Sequence, residues 1–293
     1  MITELEASEF HKIKHLTNAC RNMEVKAVAS GMNPGRVYVD DTLNPQAALV
    51  WVQGQSGYQL IGDFQNEVFR SELREYMETQ IYPTLASLQI SDVEIGVEDS
   101  RWEAVLEHMA GPSELNDDTQ HVYLLNPTDE RIERTEKIKS AKRSSSSRML
   151  IQPVEGTQVI IIDEVLLKDD RLNNLSFVTY KIKHFWTNVD AFLKHGVGYV
   201  VTREEEIVCI CISAFVDGNT HAIDIETLEG HRKRNYAALA AQAYMNECND
   251  RGIRPYWDCS PDNIGSIRLA QGAGLSLDFN YQVYWYSISE CMR

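Results

Sequence analysis

From Thr157 onward the chain alternates between short β-branched runs and stretches with helical spacing. "TQVIIIDEV", Thr157 to Val165, has the length and branching of a strand. "LSFVTYKIKHFWTNVDAFLKHG" then changes to helical periodicity and stops at Gly196. Three more strands are predicted at Gly198 to Thr202, Ile207 to Phe215 and Ala222 to Thr227. The polar runs "TREEE" and "VDGN" separate them, and Asp217-Gly218 is a hairpin signal. An Ala-rich helix starts near Asn235 and ends at Gly252. "RPYWDCS" reads as a strand, and Pro261 with Asp262 start a second helix that Gly272 and Gly274 close. "NYQVYWYSI" is a final aromatic strand. This order, β, α, β-β-β, α, β, α, β, predicts an α/β fold of the mixed-sheet kind, with helices on the sheet's faces.

The N-terminal half repeats part of the pattern. "GRVYVDDTLNPQAALVWVQGQSG" has the strand, acidic turn, strand and Gly turn of "GYVVTREEEIVCICISAFVDG". "QNEVFRSELREYMETQIYPTLASL" is a long helix, and "DVEIGVEDSRWEAVLEHMAG" is a strand running into a helix that ends at Gly111. Two similar units in tandem are expected. Between them "TEKIKSAKRSSSSRMLIQP" has the low hydrophobicity of a linker. The expected boundaries are an N-terminal domain 1–134, a linker 135–154 and a C-terminal domain 155–293.

A length of 293 residues suits two such domains. The net charge of −15 argues against nucleic acid or an anionic membrane as partner. The six cysteines form no CxxC pair, so no metal site is expected and buried thiols in a reducing compartment are. No apolar signal core and no run of roughly 18 apolar residues occurs, which points to a cytoplasmic protein.

"IDIETLEGHRKRNYAALAAQAY" is the segment most suited to chemistry. A polar-ended strand leads through a basic loop, Arg232, Lys233 and Arg234, straight into a helix. Free N–H groups and the positive end of the dipole at a helix start suit a diphosphate. "IETLEGHRKRNYA" resembles the acetyl-CoA motif Q/R-x-x-G-x-G/A of the GCN5-related N-acetyltransferase (GNAT) family, with Arg232 first and Ala237 last. "WDCSPDNIGSIRLAQGAGL" resembles the family's second motif, with Asn263, Ser266, Leu269, Gly274 and Leu275 in register. The resemblance covers about the last 140 residues; with a degenerate N-terminal unit, the chain is similar to the two-part GNAT group that includes zwittermicin-A-resistance-type acetyltransferases.

The resemblance implies tandem GNAT-like units, of which the second takes acetyl-CoA as co-substrate. The strand at Ile225 and Thr227 would part from the strand near Trp257 to Ser260 and admit the pantetheine arm. Backbone N–H groups of Arg232, Lys233, Arg234, Asn235, Tyr236 and Ala237 would hold the diphosphate, and Asn263 and Ser266 would approach the arm or its sulfur. Two departures stand out: Asn235 replaces the motif glycine, and Ala270 stands where the family often has the tyrosine that protonates the thiolate. Tyr284 and Tyr286 are candidates for that vacant role.

Acetyl transfer to an amine needs a base. Asp224 and Glu226 alternate onto one face of the strand beside the expected thioester, so Glu226 is the first choice and Asp224 the second. Glu229 and His231 are weaker candidates. His184, Trp186 and His195 fall where the family places acceptor-contacting helices. The N-terminal unit has no basic loop before its long helix and is expected to bind no CoA. The expected activity is N-acetylation of a primary amine on a small molecule; a non-catalytic CoA-sensing module is the alternative. Transfer of an aminoacyl group from tRNA is disfavoured by the acidic charge. The sequence does not fix the oligomeric state, and a homodimer is compatible with it.

Overall fold

A computed structural model describes residues 1–125 and 155–288. The expected linker 135–154 and Cys291 lie outside the described residues. The chain forms two compact units, one of Met1–Gln120 with Asn280–Arg293, the other of His121–Phe279.

In the first unit the sheet order is β1 (Thr3–Glu4), β2 (Gly35–Val39), β3 (Ala47–Val52), β4 (Gly57–Gly62), β5 (Asp92–Val97) and the end of β12 (Leu275–Ser287). Its helices are α1 (Lys14–Ala19), α2 (Met23–Ala29), α3 (Glu67–Tyr76), α4 (Tyr82–Ser87) and α5 (Glu103–Ala110). A π-helical turn, Met77–Ile81, joins α3 to α4, so the long helix read from the sequence is continuous but underwound and widened in the middle. Phe69, Leu73, Tyr82 and Leu106 from these helices, with Trp102 of the 3-10 turn before α5, pack with Leu49, Leu60 and Ile95 of the sheet. β4 and β5 run parallel and pair from Tyr58–Ile95 to Leu60–Val97, the last residue of β5. The buried Gln59 amide lies over Gly96; a Cβ at Gly96 would come within 2.3 Å of Gln59 Nε2. These two strands therefore stay paired to the end of β5.

The second unit has the order β6 (Asn116–Leu125), β11 (Arg254–Cys259), β10 (Thr220–Thr227), β9 (Glu206–Asp217), β8 (Gly198–Arg203) and β7 (Thr157–Ile161), with His121–Leu125 of β6 contributing. β7 to β10 form an antiparallel meander, β10 and β11 are parallel, and β11 and β6 are antiparallel. The β9–β10 hairpin turns at Gly218, whose φ of +58° suits a residue without Cβ. Its helices are α6 (Leu175–Phe185), α7 (Val189–His195), α8 (Tyr236–Arg251) and α9 (Ile264–Gly272). Tyr236, Leu239, Ala240 and Tyr244 of α8 pack with Val201, Cys209, Cys211 and Ile223 of the sheet.

The units divide differently from the sequence reading. The last strand, read as part of the C-terminal domain, belongs to the first unit from Asn280 on, and residues 121–125 belong to the second. The reason lies in the pairing: Gln282 to Ser287 form an antiparallel ladder with Val97 to Asp92, while His121 to Leu124 pair with Cys259 to Tyr256. Tyr286 is thereby fully buried in the first unit's core, its hydroxyl 2.7 Å from that of Tyr82, and Tyr284 is buried in the same core. Neither is available to protonate a thiolate, so that expectation is corrected.

Candidate active site

The site begins with a place where sheet pairing stops. β10 meets β11 only at Thr220–Arg254, His221–Pro255 and Ala222–Tyr256. Both strands continue, to Thr227 and Cys259, without pairing to each other. A bulge against β9 between Ala222 and Ile223 turns β10 away at this point. Beyond it the two strands form no ladder with each other, the condition for an extended ligand to bind between them.

Beyond Thr227 the chain makes a 3-10 turn, Glu229–His231, and enters α8. Arg232, Lys233, Arg234 and Asn235 are exposed there. Lys233 and Asn235 both adopt left-handed backbone, φ +63° and +64°, and Asn235 makes no side-chain cap. Among the described residues, the backbone N–H groups of Lys233 through Ala238 have no hydrogen-bond acceptor; the first turn-closing bond is Leu239 N–H to Asn235 O at 3.0 Å. A loop and helix start with its N–H groups free and with alternating left-handed residues has the donor arrangement that suits an anion. Arg232 ties this loop to the strand, its Nε donating to Thr227 O at 3.2 Å.

The long helix of the first unit starts differently. Asn66 caps it, accepting from Phe69 N–H at 2.9 Å, and the turn before it carries Asp63. A capped, acidic helix start is a poor place for phosphate.

Left-handed backbone at position 235 makes a test. Asn235→Gly restores the residue that this conformation favours and leaves CoA affinity within about threefold or tighter, whereas Asn235→Val, β-branched at positive φ, distorts the cradle by about 1–3 kcal/mol and weakens affinity tenfold or more. Titration calorimetry with CoA reads both.

Asp224 and Glu226 face away from α8, toward α6. Lys181 of α6 reaches both, with Nζ 2.9 Å from Asp224 Oδ2 and 3.0 Å from Glu226 Oε2. The side chains of Lys181, Asp224 and Glu226 are 12%, 23% and 41% exposed, which leaves Glu226 the most accessible. Burial pushes the Asp224 carboxyl up, with Lys181 opposing. For Lys181 burial works downward, but Asp224 and Glu226 outweigh it and the net direction is up, so the ammonium stays charged. Ile223 and Ile225 belong to the other face and pack in the core under α8, and Thr227 Oγ1 lies 3.2 Å from Cys209 Sγ.

Asn263 and Ser266 have partners within the unit. Asn263 Oδ1 caps α9 by accepting from Ser266 N–H at 3.0 Å, and Ser266 Oγ accepts from Trp257 Nε1 at 2.8 Å. An Asn just before a helix is a preferred cap, which accounts for the first. Both therefore shape the end of β11 and the start of α9. Ala270 is fully buried in the core. Glu229 is exposed, and His231 Nε2 stands 3.6 Å from Glu206 Oε2. Trp186 is buried, its Nε1 donating to Ser213 O at 2.8 Å. His184 stacks on Tyr180 with ring centroids 6.2 Å apart.

β10 and β11 part after Ala222–Tyr256, and the helix start that follows β10 has free N–H groups. The family described as GNAT acetyltransferase matches residues 14–284. The chain belongs to the GNAT family. Among GNAT relatives, a protein of Bacillus subtilis (strain 168) named uncharacterized N-acetyltransferase YdfB is 27% identical over 253 residues, covering 86% of this chain and 85% of that one. A GCN5-related N-acetyltransferase-like protein from Streptococcus suis shares the fold with a TM-score of 0.63 at 20% identity, covering 96% of this chain and 99% of its own. A tandem GNAT protein from the clavulanic acid biosynthesis pathway shares it with a TM-score of 0.62 at 10% identity, over 98% of each chain. The chain is thus a GNAT-type acyltransferase with a mixed α/β fold.

The pairing of Lys181 with both carboxylates is the element that sequence reasoning missed. Val178, Ile182 and Phe185 form the buried face of α6, and Lys181 lies on its flank. A lysine there, with two carboxylates on one strand face elsewhere, was the only signal.

Proposed function

We propose that the second unit transfers the acetyl group of acetyl-CoA to a primary amine on a small molecule. The reading rests chiefly on the free N–H groups from Lys233 to Ala238 at the end of a strand that has left its parallel neighbour. The cradle takes the diphosphate, and the gap where β10 and β11 stop pairing with each other takes the pantetheine arm. Glu226 accepts a proton from the attacking amine as the N–C bond forms, and a backbone N–H of the β10 edge stabilises the oxyanion. When the C–S bond breaks, the sulfur leaves as thiolate and takes up a proton from solvent, since Ala270 supplies none. The first unit, whose β4 and β5 stay paired to the end of β5 and whose long helix has a capped acidic start, binds no CoA.

Calorimetry with CoA, followed by acetyl-CoA turnover across a panel of amines, tests this reading. Heat of binding together with amine-dependent release of free thiol is the expected outcome. CoA binding with no turnover on any amine selects the sensing module instead, and no binding removes both. Reversing Arg232, Lys233 and Arg234 together to Glu is expected to weaken CoA binding by about a hundredfold or more, because three attractive charges at the cradle become three repulsive ones.

A further inference from the structure

Lys181 is a resident cation on a carboxylate pair placed where an amine acceptor must arrive. With Asp224 and Glu226 it makes a cluster of net charge −1, its Nζ within 3.0 Å of both. One further ammonium balances that cluster; a second would meet Lys181 head-on. Along α6, Tyr180, Lys181 and His184 follow helical spacing, and Tyr180 is 66% exposed with its ring stacked on His184. The flank beside the carboxylates thus offers an aromatic surface and a positive charge.

We propose that Lys181 is a specificity-determining residue that restricts the acceptor to molecules with a single ammonium group next to an apolar body and rejects diamines and polyamines. This rests on the assignment of Asp224 and Glu226 to the acceptor site. The ammonium of Lys181 takes the place that the second amine of a diamine would occupy. Its like charge repels that amine, and its two ion pairs use the oxygens that would bind it.

The test compares n-butylamine with 1,4-diaminobutane, which share a carbon skeleton and differ by one charge. Binding of each to the CoA-saturated full-length protein is measured by calorimetry, and acetyl transfer is measured separately. The wild type is expected to favour butylamine, and Lys181→Met to shift the affinity ratio toward the diamine by on the order of tenfold or more. Lys181→Gln, which can still donate to one carboxylate, gives the same reading if the Met variant does not fold. Lys181→Met combined with Asp224→Asn restores a net charge of −1 and is expected to return the ratio toward that of the wild type. An unchanged ratio in folded Met or Gln variants overturns the proposal. Because the ratio is read from binding, it stands or falls independently of turnover; failure of the wild type to acetylate any amine would instead count against the function proposed above.

Discussion

Replacing Glu226 by Gln is expected to lower amine acetylation near neutral pH by about a hundredfold to a thousandfold, the usual contribution of a positioned base. The substitution keeps the size of the side chain and its reach to Lys181, so affinity for CoA should hold within about twofold. The loss should fall mainly on kcat, because the proton moves as the N–C bond forms. Raising the pH supplies a second reading. An alkyl amine is mostly protonated at pH 7, and raising the pH increases its neutral fraction equally for both proteins; because the proton leaves as the N–C bond forms, both rates should rise and the deficit of the variant should persist. Asp224→Asn is expected to act differently. Asp224 is the more buried of the two and holds Lys181, so its loss leaves a largely buried ammonium with one partner and costs stability as well as rate. Turnover of Glu226→Gln equal to wild type, with CoA binding intact, would take Glu226 out of the reaction.

The second unit was legible because its signals are local. Gly218 in the hairpin, Gly252 ending α8 at φ +69°, and the basic run before Tyr236 each report on a few neighbouring residues, and the hairpin and α8 formed where those residues predicted, whereas the one helical stretch read up to Gly196 is two helices, α6 and α7, and the strand read to Val165 ends at Ile161. The left-handed backbone at Asn235 likewise follows from position and residue type, since Asn is among the few residues that tolerate it. What remained hidden depends on partners far apart in the chain. Lys181 is more than forty residues from Asp224, and helical spacing alone shows a lysine on a flank, not what faces it. The last strand was misassigned for a similar reason: its alternation says that it is a strand, while membership is decided by the ladder from Gln282–Val97 to Ser287–Asp92. Asn263 and Ser266 show a third limit. A motif position fixes where a residue sits, but the same Asn that fits the family pattern is also a good helix cap, and the hydrogen bond to Ser266 N–H shows its side chain in that use.

Stability is expected to fall more steeply on acidification than carboxylate protonation alone would cause, because of one histidine. His221 of β10 is 4% exposed, with Nδ1 2.8 Å from Ser213 Oγ. Ser213 Oγ also lies 2.8 Å from Tyr244 OH and accepts from Val197 N–H at 3.0 Å. Three bonds are all that a hydroxyl can make, so the network is saturated with a neutral imidazole. Burial, with a smaller contribution from Arg251, lowers the His221 pKa from 6.5 to about 4. The unfolded chain therefore binds this proton at a higher pH than the native protein does, and the unfolding free energy falls as pH falls. The contribution is fully present above about pH 6.5; about 2 kcal/mol of it is gone at pH 5 and about 3 kcal/mol by pH 4. Urea unfolding of wild type and His221→Gln across this range measures it: the wild type should lose about 2 kcal/mol more than the variant between pH 7 and pH 5, and parallel curves would refute the assignment. Ser213→Ala acts on the same network from the other side. It removes the oxygen that His221, Tyr244 and Val197 share, leaves buried polar groups unpaired, and is expected to cost about 3 kcal/mol or more at pH 7. Because Trp186 hangs from the carbonyl of the same residue and packs on Phe192, the loss should be accompanied by a change in tryptophan emission before the main unfolding transition.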